Sequence, residues 1–169
     1  MKYNSERILA THVGSLPRPR RLVEILETKE TGGDIDLDNL QQQITAAITN
    51  IEKLQRNSGI DIVNDGENSK TSYSLYIRDR LSRIDPKPPE QSLPKTAQHR
   101  DLVEHPKLVA QRIIRWAETI DKERVIASTD CGFATFAGSN SPVIESIVWE
   151  KLNALTQGTK LASQQLWHA

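Results

Sequence analysis

Val125-Ile-Ala-Ser-Thr-Asp-Cys-Gly-Phe133 is the stretch on which the reading of the whole chain turns. Val125 to Ala127 form a short apolar run and predict a buried strand. Ser128, Thr129 and Asp130 turn out of it, and Gly132 permits a sharp bend just after the thiol. Cys131 is the one cysteine among 169 residues. A thiol at a strand mouth, beside a carboxylate and a glycine, suits a metal-bound or nucleophilic thiolate. A single free cysteine is more commonly a small buried hydrophobe. Context has to separate the two readings, and two other apolar runs supply it.

Ile8-Leu-Ala10 opens into Thr11-His-Val-Gly-Ser-Leu-Pro-Arg-Pro19, which predicts a strand ending in a glycine turn and a proline-stiffened loop. Backbone N–H groups around Gly14 and the Ser15 hydroxyl could hold a small anionic group, or the segment is a plain strand-to-helix turn. Ile60-Asp-Ile-Val63 opens into Asn64-Asp-Gly-Glu67. Carboxylates there could bind an amine or a metal or act as a base. Asp-Gly is also an ordinary turn pair.

Between these runs the periodicity is helical. Arg20 to Lys29 reads as a short amphipathic helix ended by Thr31-Gly-Gly33. Asp36 caps a long one, in which Leu37, Leu40, Ile44, Ile48, Ile51 and Leu54 recur every three or four residues until Gly59 closes it. Tyr73 to Leu81 suggests another helix. Asp85 to Pro94 holds four of the eight prolines and marks a seam. After it, Pro106 starts a helix with Val109, Ile113, Trp116 and Ile120 as its apolar stripe, and His105 is a solvated residue ahead of it. Ser141-Pro142 starts the last helix, buried through Ile144, Val148, Leu152, Leu155, Ala162 and Leu166. Gly158 in its middle implies close packing or a bend.

The expected fold is therefore α/β, an incomplete (β/α)8 TIM-barrel-like array of parallel strands with flanking helices and polar residues at the strands' C-terminal ends. It forms a single partial domain over 1–169, with the first βα units in 1–84, the proline-rich seam in 85–98 and the last βα unit in 99–169. Such a barrel typically takes about 250 residues, and three strands leave two sheet edges to be paired or covered.

Zero formal net charge gives no electrostatic case for nucleic acid or an anionic membrane. One cysteine excludes an internal disulfide, the first seven residues lack a signal-peptide apolar run, and no stretch approaches a membrane span. A cytoplasmic location is expected.

Ala10 to Pro19, Val63-Asn-Asp-Gly-Glu67, Val103 to Ile113, Ala127-Ser-Thr-Asp-Cys-Gly-Phe133 and Val148-Trp-Glu-Lys-Leu152, in that order, resemble the catalytic, C-terminal-type barrel of cobalamin-independent methionine synthase and its archaeal relatives, internally truncated. The resemblance runs from about Ile8 to Trp167. It implies zinc-dependent methyl transfer to a thiol, with homocysteine the acceptor and a folate-type or other compound the methyl donor. Zinc in that chemistry lowers the pKa of the acceptor thiol. Carried over, Cys131 corresponds to the family's last zinc ligand, Gly14 and Ser15 to the turn that contacts the acceptor amino acid, and Glu67 to the catalytic-site carboxylate that receives its amino group.

The family's middle strands, with their His-x-Cys zinc pair and acidic ligand, have no counterpart here. Thr129, two residues before Cys131, is not a histidine. Two functions stay open: an S-methyltransferase of methionine biosynthesis, and a catalytically inactive remnant serving as a binding or assembly module, self-associating through its open sheet edges.

Overall fold

The computed structural model describes residues 6–71, 102–133 and 143–167. The helix expected over Tyr73–Leu81, the proline-rich seam and the Ser141-Pro142 helix start lie outside them. Among the described residues the order is β1 (Leu9–Ala10), α1 (Arg20–Glu30), α2 (Leu37–Asn57), α3 (Pro106–Ile120), a 3-10 turn (Lys122–Arg124), β2 (Ile126–Ala127) and α4 (Glu145–Trp167).

Helix α2 forms where its caps and period put it. The Asp36 carboxylate accepts from the N–H groups of Asp38 and Asn39 at 2.9 and 3.1 Å. At the other end Gly59, with φ +79°, closes a Schellman turn: its N–H donates to Arg56 O, and Ile60 N–H donates to Gln55 O. Leu40, Ala47 and Ile51 are buried, and Leu22 and Leu26 of α1 pack beside Leu40 and Ala47.

Helix α3 starts at Pro106. His105 is exposed, as expected, and caps the helix, its Nδ1 accepting from Lys107 N–H at 3.2 Å. The apolar stripe is rotated from its expected position. Val109 and Ile113 are buried together with Ala110 and Ala117, whereas Trp116 is 62% exposed and Ile120 is also outside. The cause is Gly158 of α4, where a Cβ would come within 2.6 Å of Val109 Cβ and 2.8 Å of Pro106 O. The two helices approach closely there, and the small side chains of α3 turn inward. On α4, Val148, Leu152 and Ala162 are buried as expected, and Ile144 is exposed ahead of the first turn.

The barrel-like α/β expectation is wrong. The fold is mostly helical, with a two-stranded parallel sheet in which Leu9 pairs with Ile126 and Ala10 with Ala127. The third expected strand, Ile60–Val63, contributes an isolated bridge between Thr11 and Ile62. Asp61 explains why it goes no further. Its carboxylate takes the Ala10 N–H at 2.8 Å, where a strand carbonyl would otherwise accept, and Asp61 N–H and Ile62 N–H both donate to Ala10 O. Arg7 holds that carboxylate with two 2.8 Å bonds. Burial works against the Asp61 charge, but the bonds from Arg7 and Ala10 outweigh it and keep its pKa below the usual carboxylate range.

Apolar packing of helices on this short sheet supplies the core. Ile8 and Val125 meet Val109, Ile113 and Ala162, while Ala10, Leu16 and Ile60 meet Ile51, Val148 and Leu152. No helix among the described residues is long and apolar enough to cross a membrane.

Candidate functional site

Although the sheet is short, the three polar clusters leave it at the same end and their backbones interlock. Val13 N–H donates to Thr129 Oγ1 at 3.2 Å, Phe133 N–H to Ser15 O at 2.7 Å, and Leu16 N–H to Gly66 O at 3.0 Å. Contact between the first and last loops is backbone to backbone. A Cβ on Gly14, whose φ is +86°, would strike Gly132 N and lie 2.6 Å from Gly132 Cα. A Cβ on Gly132 would strike Ser15 N and lie 2.6 Å from Ser15 Oγ. Only glycine at both positions allows this approach.

The Asp65–Asn68 segment is a turn. Gly66 and Glu67 both have positive φ, +58° and +54°, the pattern of a type I′ turn, and Asn68 N–H donates to Asp65 O at 3.2 Å. For Glu67, a non-glycine residue, that conformation costs about 1–2 kcal/mol. Side chains tie the turn down: Asn64 Oδ1 accepts from Gly66 N–H, Asp65 Oδ1 from Glu67 N–H, and Arg18 Nη2 donates to Glu67 O at 2.8 Å and Lys70 O at 2.9 Å. Asn68 is buried with its Oδ1 unpartnered among the described residues, a cost of about 1–3 kcal/mol.

Beside the loops runs a polar relay whose two ends, Gln55 and His12, are buried and whose middle, Asn64, is exposed. Gln55, 0% exposed, donates from Nε2 to Asn64 O at 2.7 Å and accepts Asn64 N–H at 3.0 Å. Asn64 Nδ2 lies 3.1 Å from His12 Nδ1 and 2.9 Å from His12 O, and His12 Nε2 lies 3.1 Å from Gly14 O. These partners assign neutral His12 with its proton on Nε2. Burial pushes its pKa down, against the opposing pull of the Gly14 carbonyl and the Asp65 charge.

A folded-state pKa below the unfolded value means that the unfolded chain binds the proton first. The stability due to neutral His12 is complete above the unfolded pKa of about 6.5 and declines as pH falls from there toward the folded pKa. The slope reaches at most about 1.4 kcal/mol per pH unit. Urea unfolding between pH 7.5 and 5.5 should show the loss in the native sequence, and His12→Gln should flatten it. Equal slopes in both would refute the assignment. Asp61 titrates in a lower range and does not contribute there.

The side chains of the expected site residues diverge even though their loops meet. Ser15 is buried, Glu67 is half-buried on the Arg18 side, and Cys131 is exposed. Cys131 borders a groove of about 860 Å³, lined also by Ile113, Trp116, Ile126, Phe133 and Leu155, beside the edge of β2 that has no strand partner among the described residues. Ser15 and Glu67 do not line it.

The donors among the described residues do not fit a catalytic zinc, which takes three protein ligands. Among the described residues no group of three or more His, Cys, Asp and Glu side chains could hold a metal. His12, the nearest histidine in sequence to the loops, has both ring nitrogens engaged.

The chain matches no family model, no curated protein and no solved structure.

Sequence reasoning missed Gln55 and Arg18. Gln55 did carry a signal, since it lies four residues after Ile51 on the buried stripe of α2, where a polar side chain needs a partner. Arg18 sits between two prolines and carries no periodicity at all.

Proposed function

We propose that this chain is a non-catalytic binding module related to cobalamin-independent methionine synthase, acting in the cytoplasm on a small amino-acid thiol such as homocysteine. The interlock of Gly14–Leu16, Gly66–Glu67 and Cys131–Phe133 carries the proposal. The resemblance assigns the first two of these segments to the acceptor and the third to its zinc, and they come from distant parts of the chain to one sheet end. Glu67 is the residue to receive the ligand's ammonium group, as it is half-buried and its backbone is held in place. Methyl transfer by this chain is not part of the proposal, because activation of the thiol would need a metal for which the described donors are unsuited.

Calorimetry with homocysteine, metal analysis of the dialysed protein and a methionine-formation assay test this together. Binding should be measurable, and Glu67→Gln should weaken it about tenfold or more, since a hydrogen bond to a charged group contributes about 1.5–3 kcal/mol. Zinc should be absent and no methionine should form. Absence of homocysteine binding would end the binding reading. Stoichiometric zinc that disappears in Cys131→Ser, together with product, would establish an enzyme instead.

A further inference from the structure

We infer that Arg18 is a positioning residue for Glu67: it holds the Glu67 backbone in the conformation from which the carboxylate selects ligands bearing a primary ammonium group. The inference rests on the reading of Glu67 as the ammonium acceptor.

Three observations carry it. First, Glu67 sits at φ +54°, a conformation that a residue with a side chain leaves unless its surroundings hold it. Second, one Arg18 nitrogen bridges two carbonyls of the turn, Glu67 O at 2.8 Å and Lys70 O at 2.9 Å, so the guanidinium spans the residue under strain and its exit. Third, the loop bearing Arg18 grips the same turn from its other side, through Leu16 N–H on Gly66 O at 3.0 Å. The turn that presents Glu67 is thus clamped before and after by residues 16 and 18.

The arginine also interacts through its charge with the Glu67 and Asp65 carboxylates. A site with two carboxylates and no cation would attract any positive group. With Arg18 balancing one of them, selection depends on where the Glu67 carboxylate points, which the clamp decides. A lysine in its place would present a single point charge and could not reproduce the planar donor set.

The test uses the full chain and two readouts. Nuclear magnetic resonance of the free protein should show at Glu67 the strong intraresidue HN–Hα cross-peak that marks a positive φ. Arg18→Gln should lose it, and Arg18→Lys should weaken it, with the other amide signals of α2 and α4 retained. In calorimetry the native chain should prefer homocysteine to 4-mercaptobutanoate, which lacks the amine, by about tenfold or more, the scale of one charge-assisted hydrogen bond. That preference should fall below about threefold in Arg18→Gln.

A Glu67 signature and a ligand preference both unchanged in Arg18→Gln would overturn the inference, because Arg18 would then set neither the turn nor the selection. If Arg18→Gln does not fold, the same two outcomes are read from Arg18→Lys. If the native chain binds neither thiol, the proposed function fails, and the Glu67 signature alone decides the positioning role.

Discussion

Alanine at Gly132 should destabilise the protein by about 3 kcal/mol, the upper end of the usual cost of overpacking. The new methyl group would meet Ser15 N and, at 2.6 Å, Ser15 Oγ. The first of these is backbone and cannot rotate away. Relief requires parting the loops, which breaks the 2.7 Å bond from Phe133 N–H to Ser15 O. Gly14→Ala should cost as much, plus about 1–2 kcal/mol for the positive φ. The double variant should cost clearly less than the sum, because once the loops have parted the second methyl group meets nothing. Gly32→Ala is the control. Gly32 has φ +76° and open space where a Cβ would go, so only the conformational part applies. Urea unfolding gives all four values, and a Gly132→Ala effect below about 0.5 kcal/mol, ordinary for a surface change, would show that the loops do not interlock.

Gly158→Ala should cost about 2 kcal/mol, although helix propensity alone favours alanine there by about 1 kcal/mol. Packing wins because the added Cβ comes within 2.6 Å of both Val109 Cβ and Val109 Cγ1, and within 2.8 Å of Pro106 O. Adding Val109→Ala should recover only part of the loss: it removes Cγ1, while Cβ and the Pro106 carbonyl remain. The measurement is again the urea midpoint. A Gly158→Ala protein more stable than the parent would mean that α3 and α4 do not touch at this point.

Local signals were legible where they act locally. Asp36, Gly59 and the leucine–isoleucine period delimit α2, and Pro106 marks the start of α3, because caps and proline act on the nearest turn of backbone. Which face of α3 is buried depended on Gly158, far along the chain from its contacts Val109 and Pro106, and nothing in the period of α3 announces that. The three apolar runs lie side by side, but as one two-residue ladder and one isolated bridge and not as the strands of a barrel. Their length was overestimated because Asp61 uses its side chain where a strand uses its backbone. For the same reason the barrel expected from the motifs is not formed: matching loops do not supply the missing ladder.

At the candidate site the meeting of the loops followed from strand order, whereas the destinations of the side chains did not. Cys131 faces a groove, Ser15 is packed away, and His12 holds the loop through its bond with the Gly14 carbonyl. Rotamer and burial are settled by partners from elsewhere in the chain. Gln55 serves the site from outside the motifs altogether, and Arg18, inside the first motif, carries no periodicity that marks its role.

The pairing of the first strand with the last also sets an order of assembly. Val13 and its partner Thr129 are 116 positions apart, and Ile8 donates to a serine 155 positions away. On the ribosome the segment from Ile8 to Leu16 is made early, its partners from Asp61 to Gly66 follow α2, and those in β2 and α4 come much later, so β1 lacks its strand partner while α1 and α2 already have each other. Closing so long a loop carries an entropic cost before any contact compensates it. Helices α1 and α2 gather first, and the sheet end where the three loops meet is completed only after β2 has been made.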